Sequence, residues 1–328
     1  MKQSLENICK DFIRNRDTIK ETFKWENEYI VPICATTLCG KNISADKAKL
    51  KECRDIVDNS TSIFSNFRGN VKLPVMVLLS TDSDSEGKLK KIMEIYEMLK
   101  EHFYRSEYLT LVSAILADMI STDEADKYAQ RGKTLYNRMK KEHPFLTSAE
   151  DSVFAVLMAF SEKTDDMLVE DMEKCYFTLK KTFHDGNSVQ SLSHILALAE
   201  GDSETKCRRV LELYDKITAS GKKYSKYYEI SALGSMAMLT DDYDSVVEDM
   251  TAADDFLSQQ KGYTGIFGID KKTRLMHALL LVSCDFSNNG NTSAAAMTGT
   301  LAMVAAQQAA MCAVIAATAA NTAANSAN

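Results

Sequence analysis

The sequence contains few of the residues that interrupt helices. Only 3 prolines and 13 glycines occur among its 328 residues, and these two residue types are the strongest helix breakers. Their scarcity predicts long helices joined by short turns. The composition is 45% hydrophobic and 26% charged, which is typical of a protein with a packed core.

Motifs for the common cofactors and catalytic groups are also missing. No Walker, GxSxG or HExxH pattern occurs, so the sequence predicts no cofactor, no metal and no catalytic residue. The net charge of −7 argues against nucleic acid as a partner, because phosphate binding needs clustered Lys and Arg. These absences favour a non-enzymatic protein but leave the enzyme class open.

The eight cysteines lack the spacing of zinc or redox motifs. No pair has CxxC spacing. The first twenty residues carry charges throughout and lack the apolar stretch of a signal peptide. Scattered cysteines without a secretion signal are typical of the reducing cytoplasm. We therefore predict a cytoplasmic protein whose cysteines are buried free thiols.

What the sequence does contain is an internal repeat of about 40 residues. A block recurs in which a tyrosine is followed three residues later by an apolar side chain. Its tyrosines are Tyr96, Tyr136, Tyr176 and Tyr214, at spacings of 40, 40 and 38 residues, and Phe256 follows 42 residues further on. Such regular spacing indicates one supersecondary unit repeated along the chain.

Each repeat combines two kinds of helical segment. The Tyr block, as in MEIYEMLKEHF, keeps one charged face, whereas the segment after it, as in SEYLTLVSAILADMI, is apolar over most of its surface. This pattern predicts an outer amphipathic helix and a buried inner helix. We predict an all-α fold, an α-α superhelix (a HEAT/TPR-like solenoid) of about seven helix pairs over residues 1–286. A globular all-α domain with helices of similar length is the alternative.

Three histidines recur with the repeat and are candidate binding residues. His102, His143 and His184 lie 41 residues apart, each just after a Tyr block. Equivalent positions of stacked repeats form a ladder, and imidazoles on such a ladder could hold an anion or a metal. The simpler interpretation is a turn inherited from a common ancestral unit.

The segment FSNFRGNVKLP is the second candidate site. Arg68 and Asn70 lie beside the aromatic residues Phe64 and Phe67, where neighbouring repeats have only a short turn. An arginine between aromatic residues can clamp a carboxylate or a peptide. A helix C-cap at Gly69 or Asn70 would explain the same residues without any ligand.

Four segments carry a resemblance to a known family. IFSNFRGN, RMKKEHPFLTS, SVQSLSHILALAE and KCRRVLELYDKI, in this order, resemble the bacterial family known as domain of unknown function 4003. The resemblance covers most of residues 5 to 285. It implies a bacterial, cytoplasmic protein, and it carries no activity and no catalytic residue with it.

Residues 287–328 form an uncharged, Ala-rich C-terminal tail. The tail is long enough to cross a bilayer, but Ala is nearly neutral for insertion, and Gln307 and Gln308 oppose it. The repeat period places Ala296 where an eighth outer helix would begin. We therefore predict a helix that caps the array or associates with a second molecule, followed by a disordered end.

The leading functional hypothesis is a non-enzymatic interaction protein that binds a protein or peptide on the concave face of the superhelix. An enzyme or small-molecule binder, with a site assembled from several repeats, is the alternative. Tail-mediated membrane association is a third hypothesis, and a homo-oligomer formed through the tail is compatible with each.

Overall fold

The computed structural model describes residues 1–24, 26–63, 65–264, 268–288 and 311–315. These residues form fourteen α-helices, two 3-10 helices (Asn66–Arg68 and Thr122–Glu124) and a helical turn at 311–315. No β-strand occurs among them. The predicted all-α class is confirmed.

The helices alternate between two layers, because each odd-numbered helix packs on the even-numbered helix that follows it. The outer helices are α1 (Gln3–Thr22), α3 (Lys47–Ser60), α5 (Ser85–His102), α7 (Ala125–Glu142), α9 (Asp165–Leu179), α11 (Ser203–Ala219) and α13 (Tyr243–Ser258). The inner helices are α2 (Ile30–Gly40), α4 (Lys72–Ser80), α6 (Glu107–Met119), α8 (Asp151–Met158), α10 (Gly186–Leu198), α12 (Ile230–Leu239) and α14 (Lys271–Asn288). The helices thus form seven successive pairs.

The seven pairs close into a ring. Each outer helix contacts the next outer helix and each inner helix contacts the next inner one, and contacts of α13 with α1 and of α14 with α2 complete both series. At this seam Lys2 Nζ lies 2.6 Å from Asp249 Oδ2, and the Asn288 amide donates to the Cys39 carbonyl at 3.2 Å. The predicted α-α superhelix (the HEAT/TPR-like solenoid) is not confirmed, since such a superhelix would keep its first and last pairs apart.

The burial of side chains explains the two layers. All seven residues from Leu73 to Leu79 in α4 are buried, as is every residue of α8. The outer helices bury one face and expose charged residues on the other, as the amphipathic pattern predicts. A helix that is apolar all round must be covered on all sides, so the inner helices require neighbours on both flanks and an outer layer.

The repeated tyrosines form an aromatic ladder between neighbouring pairs. Each of the four repeated tyrosines packs on a ring from the loop of the preceding pair, and such contacts contribute roughly 0.5–1.5 kcal/mol beyond burial. The partners and the distances between ring centroids are Phe67–Tyr96 (5.4 Å), Phe103–Tyr136 (5.7 Å), His143–Tyr176 (4.5 Å) and Phe183–Tyr214 (5.2 Å). The tyrosine therefore recurs because it links each repeat to the one before it.

Basic side chains on the outer helices close the C-terminal ends of inner helices. The last carbonyls of a helix lack partners within it and carry the negative end of its dipole. The contacts are Lys91 Nζ to the Ala117 carbonyl at 2.8 Å, Arg131 Nη1 to the Ala159 carbonyl at 2.9 Å and Arg209 Nη2 to the Thr240 carbonyl at 3.2 Å. All three cations lie five residues before a repeated tyrosine.

Helix α9 departs from this pattern, since Asp171 occupies the position of the cation. Lys163 reaches the end of α10 instead, where its Nζ donates to the carbonyls of Ala197 at 2.9 Å and Ala199 at 2.6 Å. Lys163 Nζ also lies 3.1 Å from the Asp171 carboxylate, which forms a second ion pair with the buried Lys206. Burial lowers the pKa of Lys206, and Asp171 opposes that shift. One buried carboxylate is therefore held between two lysines.

The cysteines agree with the sequence prediction. All eight are free, and seven of them are buried, with Cys284 partly exposed. Burial raises the pKa of several of these thiols, among them Cys9 and Cys39, each to about 12. Such thiols stay protonated near neutral pH and are poor nucleophiles.

A short part of the C-terminal tail packs on the inner helices. Cys312, Ala313, Val314 and Ile315 are each at most 6% exposed. The space between them and the ring is only about 20 Å³, close to the volume needed for one water. Its walls are Ile33, Cys34 and Thr37 of α2, Pro74, Val77 and Leu78 of α4, and Leu111 and Ile115 of α6. Ala296, Gln307, Gln308 and the predicted disordered end lie outside the described residues.

Shortening the chain tests whether the tail covers these helices. A chain that ends at Asn288 is expected to bind the dye ANS more strongly and to lose about 2 kcal/mol of unfolding free energy, because burial of Val314 and Ile315 is lost. A chain that ends at Ile315 is the control and should behave like the full chain. Equal ANS fluorescence for all three chains would show that this contact contributes nothing.

Candidate functional site

The two ends of the ring carry different loops. All outer helices run in one direction and all inner helices in the other, so the loops from outer to inner helices lie at one end. The described residues of this end, the loop face, are 23–24, 26–29, 61–63, 65–71, 103–106, 143–150, 180–185, 220–229, 259–264 and 268–270. The opposite end, the cap face, comprises residues 41–46, 81–84, 120–124, 159–164, 199–202 and 240–242. The loop face has the longer loops, and loops of that kind commonly carry binding sites.

The loop face contains the predicted site around Arg68. The Arg68 guanidinium pairs with Asp58, donates to the Thr61 hydroxyl at 2.9 Å and donates to the Thr61 carbonyl at 2.8 Å. Phe67 is buried against Tyr96. Arg68 therefore closes the C-terminal end of α3, and its donors are engaged within the chain. Phe64 lies outside the described residues.

Asn70 ties the same loop to the next helix pair. Its backbone N–H donates to Glu107 Oε2 at 3.0 Å, and its side-chain amide lies 3.5 Å from Glu107 Oε1. Glu107 is the first residue of α6, where a carboxylate is also favoured by the helix dipole. The contacts of Phe67, Arg68 and Asn70 are those of a structural loop.

The three histidines have different partners. His102 Nε2 lies 2.8 Å from Asp126 Oδ1, and His143 Nε2 lies 2.9 Å from Glu173 Oε1. The carbonyl of His184 accepts a hydrogen bond from Lys180. In the aromatic ladder His143 takes the place that Phe103 and Phe183 hold in their own repeats. Among the described residues, no three or more His, Cys, Asp or Glu side chains form a group able to hold a metal ion.

A buried Asp–His pair lies between inner helices α8 and α10. Asp151 Oδ1 lies 3.6 Å from His194 Nδ1, and the two residues are 3% and 2% exposed. Burial raises the pKa of Asp151 to about 7 and lowers the pKa of His194 to about 3. Such opposite shifts occur in catalytic sites, but here neither side chain faces solvent. The pair therefore gives no support to the enzyme hypothesis.

The open site with the clearest chemical character lies on the outside of the ring, between the parallel helices α3 and α5. This acidic groove has a volume of about 1180 Å³. Its walls contain six acidic side chains and one basic one: Glu52, Asp55, Glu86, Glu94, Glu97, Glu101 and Lys90. All seven are exposed, so they are available to a partner.

The floor of the acidic groove is apolar. It contains the buried Leu89 and the partly buried Ile56, Met93 and Met98. Methionine side chains are flexible and polarizable, and they adapt to different apolar partners. The groove therefore combines an adaptable apolar floor with carboxylates on both walls.

Lys90 in the wall of the groove, and Lys49 and Lys100 beside it, compensate some of these carboxylates. Lys100 pairs with Glu97 and Lys90 lies 4.0 Å from Glu94 within α5, while Lys49 lies 2.9 Å from Glu52 in α3. Exposed ion pairs of this kind contribute little, at most about 1 kcal/mol. Cations of a partner could therefore replace them at small cost.

A second groove, between α9 and α11, is different and provides an internal comparison. Its volume is about 670 Å³, and its walls contain three acidic and two basic residues, namely Glu204, Glu212, Asp215, Arg208 and Lys216. The repeat therefore does not by itself produce an acidic groove. The charge excess belongs to α3 and α5.

Sequence reasoning missed the acidic groove because its walls come from two different repeats. One signal was present, since Glu94, Glu97 and Glu101 lie three and four residues apart in the Tyr block of α5 and so share one helix face. The facing residues of α3 lie about one repeat earlier in the sequence. No single motif could join the two walls.

Comparisons with known proteins relate the chain to one family. The model of the family described as "Protein of unknown function (DUF4003)" matches residues 15–309. The uncharacterized protein YeaA of Bacillus subtilis (strain 168) is 24% identical over 267 residues, which cover 79% of this chain and 80% of that protein. No solved structure matches the chain. Within the described residues, no helix has both the length and the apolar character needed to span a bilayer.

Proposed function

The chain belongs to the DUF4003 family, and we propose that it is a non-enzymatic interaction protein. In this proposal, the acidic groove binds a basic amphipathic helix of a protein partner. Membership of the family confirms the resemblance predicted from four sequence segments. The acidic groove is the observation that carries the proposal.

The shape of the acidic groove suits a helix. It runs along two parallel helices, and the 14 residues of α3 correspond to a length of about 21 Å. An amphipathic helix binds such a groove through apolar side chains on one face. The floor around Met93 and Met98 would receive that face, and the carboxylates on the walls would contact basic residues beside it.

The acidic groove lies on the outside of the ring, whereas the hypothesis from the sequence places a partner on the concave face. Residues 311–315 of the chain itself lie against α2, α4 and α6, so this part of the inner surface is already covered. The free and buried cysteines support a reducing compartment, and we place the interaction in the cytoplasm.

A charge-reversal series tests the acidic groove. We expect a fluorescent 18-residue peptide of Leu and Lys, patterned as an amphipathic helix, to bind the full chain in an anisotropy titration. The triple variant Glu94→Lys, Glu97→Lys, Glu101→Lys should bind it at least about tenfold more weakly, because three attractive charges become repulsive.

The control is a triple variant that makes the same change in net charge at the groove between α9 and α11. The variant Glu204→Lys, Glu212→Lys, Asp215→Lys should keep the affinity of the original chain within about twofold, apart from long-range effects that salt screens. A peptide of Leu and Glu should not bind. Equal losses in the two triple variants, or no binding of the basic peptide to the original chain, would reject the proposed site.

A further inference from the structure

The loop face presents large apolar side chains to solvent. Among the described residues, five of its seven loops each expose one such side chain, and none of the cap-face loops exposes any. The exposed fractions are 44% for Tyr29, 73% for Ile63, 93% for Tyr104, 99% for Phe145 and 57% for Tyr227. Four of these residues belong to consecutive helix pairs, so they follow an arc along the rim of the ring.

The loops at the two ends of the ring differ in net charge. The loop-face loops contain nine Lys or Arg and six Asp or Glu, which is a net charge of +3. The cap-face loops contain two Lys or Arg and ten Asp or Glu, a net charge of −8. Two of the loop-face cations, Arg68 and Lys222, pair with the helix carboxylates Asp58 and Asp254. In a chain of net charge −7, the loop face is therefore the less acidic end of the ring, with exposed Lys and Arg.

Basic residues stand beside the exposed rings. Arg105 directly follows Tyr104 in the sequence, and Lys226 directly precedes Tyr227. Lys272 Nζ lies 5.8 Å from the centre of the Tyr227 ring. Protein surfaces that bind the headgroup region of anionic membranes combine aromatic and aliphatic side chains with neighbouring Lys and Arg.

We propose that the loop face is a docking surface for an anionic lipid bilayer. The exposed side chains would enter the headgroup boundary, and the surrounding Lys and Arg would be attracted by the negative surface potential. A planar bilayer can meet all the loops of one rim at once, whereas a protein partner usually concentrates its contacts in the centre of a compact patch. The acidic cap face would then point away from the lipid.

The docking surface is separate from the acidic groove. The groove lies on the outer side of α3 and α5, and its walls contain no residue of the loop face. A protein bound by its loop face would therefore leave the groove open to a partner, and each surface can be tested with the other intact.

Co-sedimentation with vesicles tests the lipid surface. We expect the full chain to sediment with vesicles of phosphatidylcholine containing phosphatidylglycerol, less with phosphatidylcholine alone, and less at high salt. The double variant Tyr104→Ser, Phe145→Ser should bind at least about tenfold more weakly. Both side chains are almost fully exposed, so the double variant should keep the fold and the circular dichroism spectrum of the original chain.

The control is Met167→Ser, which removes an exposed apolar side chain outside the loop face and should leave vesicle binding unchanged. Equal sedimentation of the double variant and the original chain would overturn the proposal, as would no sedimentation with anionic vesicles. Binding of polyglutamate without binding of vesicles would assign the face to an acidic protein and would also overturn it.

Discussion

Replacing Phe12 with Ala at the ring seam is expected to lower the free energy of unfolding by about 3–5 kcal/mol, the usual range for a buried Phe→Ala change. Phe12 in α1 is fully buried, and its ring centroid lies 6.3 Å from that of His277 in α14. The variant would leave a cavity between the first and the last helix pairs. Denaturant unfolding followed by circular dichroism measures the loss.

Hydrogen exchange distinguishes a ring from an open array. In an open array, a terminal change loosens only the units near the end. In the ring, Phe12 lies in the interior of a continuous structure, so the variant should also lower the protection of α8 and α10 on the far side. The control is Phe154→Ala in α8, where Phe154 is 1% exposed. This variant should lower the free energy of unfolding by a similar amount. Faster exchange confined to α1 and α14 would argue that the seam is not part of the cooperative unit.

Replacing Asp171 with Asn is expected to cost about 3–5 kcal/mol, because it removes the carboxylate that two nearly buried lysines share. The side chain of Asp171 is 10% exposed, those of Lys163 and Lys206 are 12% and 1% exposed, and both ammonium groups pair with this carboxylate. Asn cannot balance either charge. Thermal and urea unfolding near neutral pH measure the effect.

A second substitution separates charge from packing. The double variant Asp171→Asn, Lys206→Met should be more stable than Asp171→Asn alone, because it removes one of the two uncompensated cations. Glu170→Gln, next to Asp171 but 65% exposed, should change the stability by less than about 0.5 kcal/mol. A loss of unfolding free energy in the double variant equal to the sum of the losses in Asp171→Asn and Lys206→Met would show that Lys206 does not depend on Asp171 for charge compensation.

The helix pairs could be predicted from the sequence because their signals are local. The period of the Tyr block, the charged face of each outer helix and the apolar surface of each inner helix all lie within one repeat. The aromatic ladder explains the block, since Tyr96, Tyr136 and Tyr214 each contact a Phe ring of the preceding loop. Local periodicity and burial are directly linked in helices.

Ring closure and the acidic groove could not be predicted because they depend on angles between repeats. Closure is set by the rotation between each pair and the next, and this rotation leaves no sequence motif. The histidines illustrate the same limit within the repeat. Their spacing of 41 suggests equivalent positions, but the ladder partners Phe103, His143 and Phe183 lie 40 residues apart. Therefore His102 and His184 fall on either side of the repeated position.

The closed seam also limits how a chain of this kind can change its length in evolution. With seven pairs, each must turn by about 51° relative to the one before, because the per-repeat rotations must add to a full circle. An added or deleted pair would require a different angle at every other interface, whereas an open array grows or shrinks at its ends. An eighth pair could therefore not be gained in a single duplication. Sequence appended after α14 is free to acquire another role, as residues 311–315 have done against the inner helices.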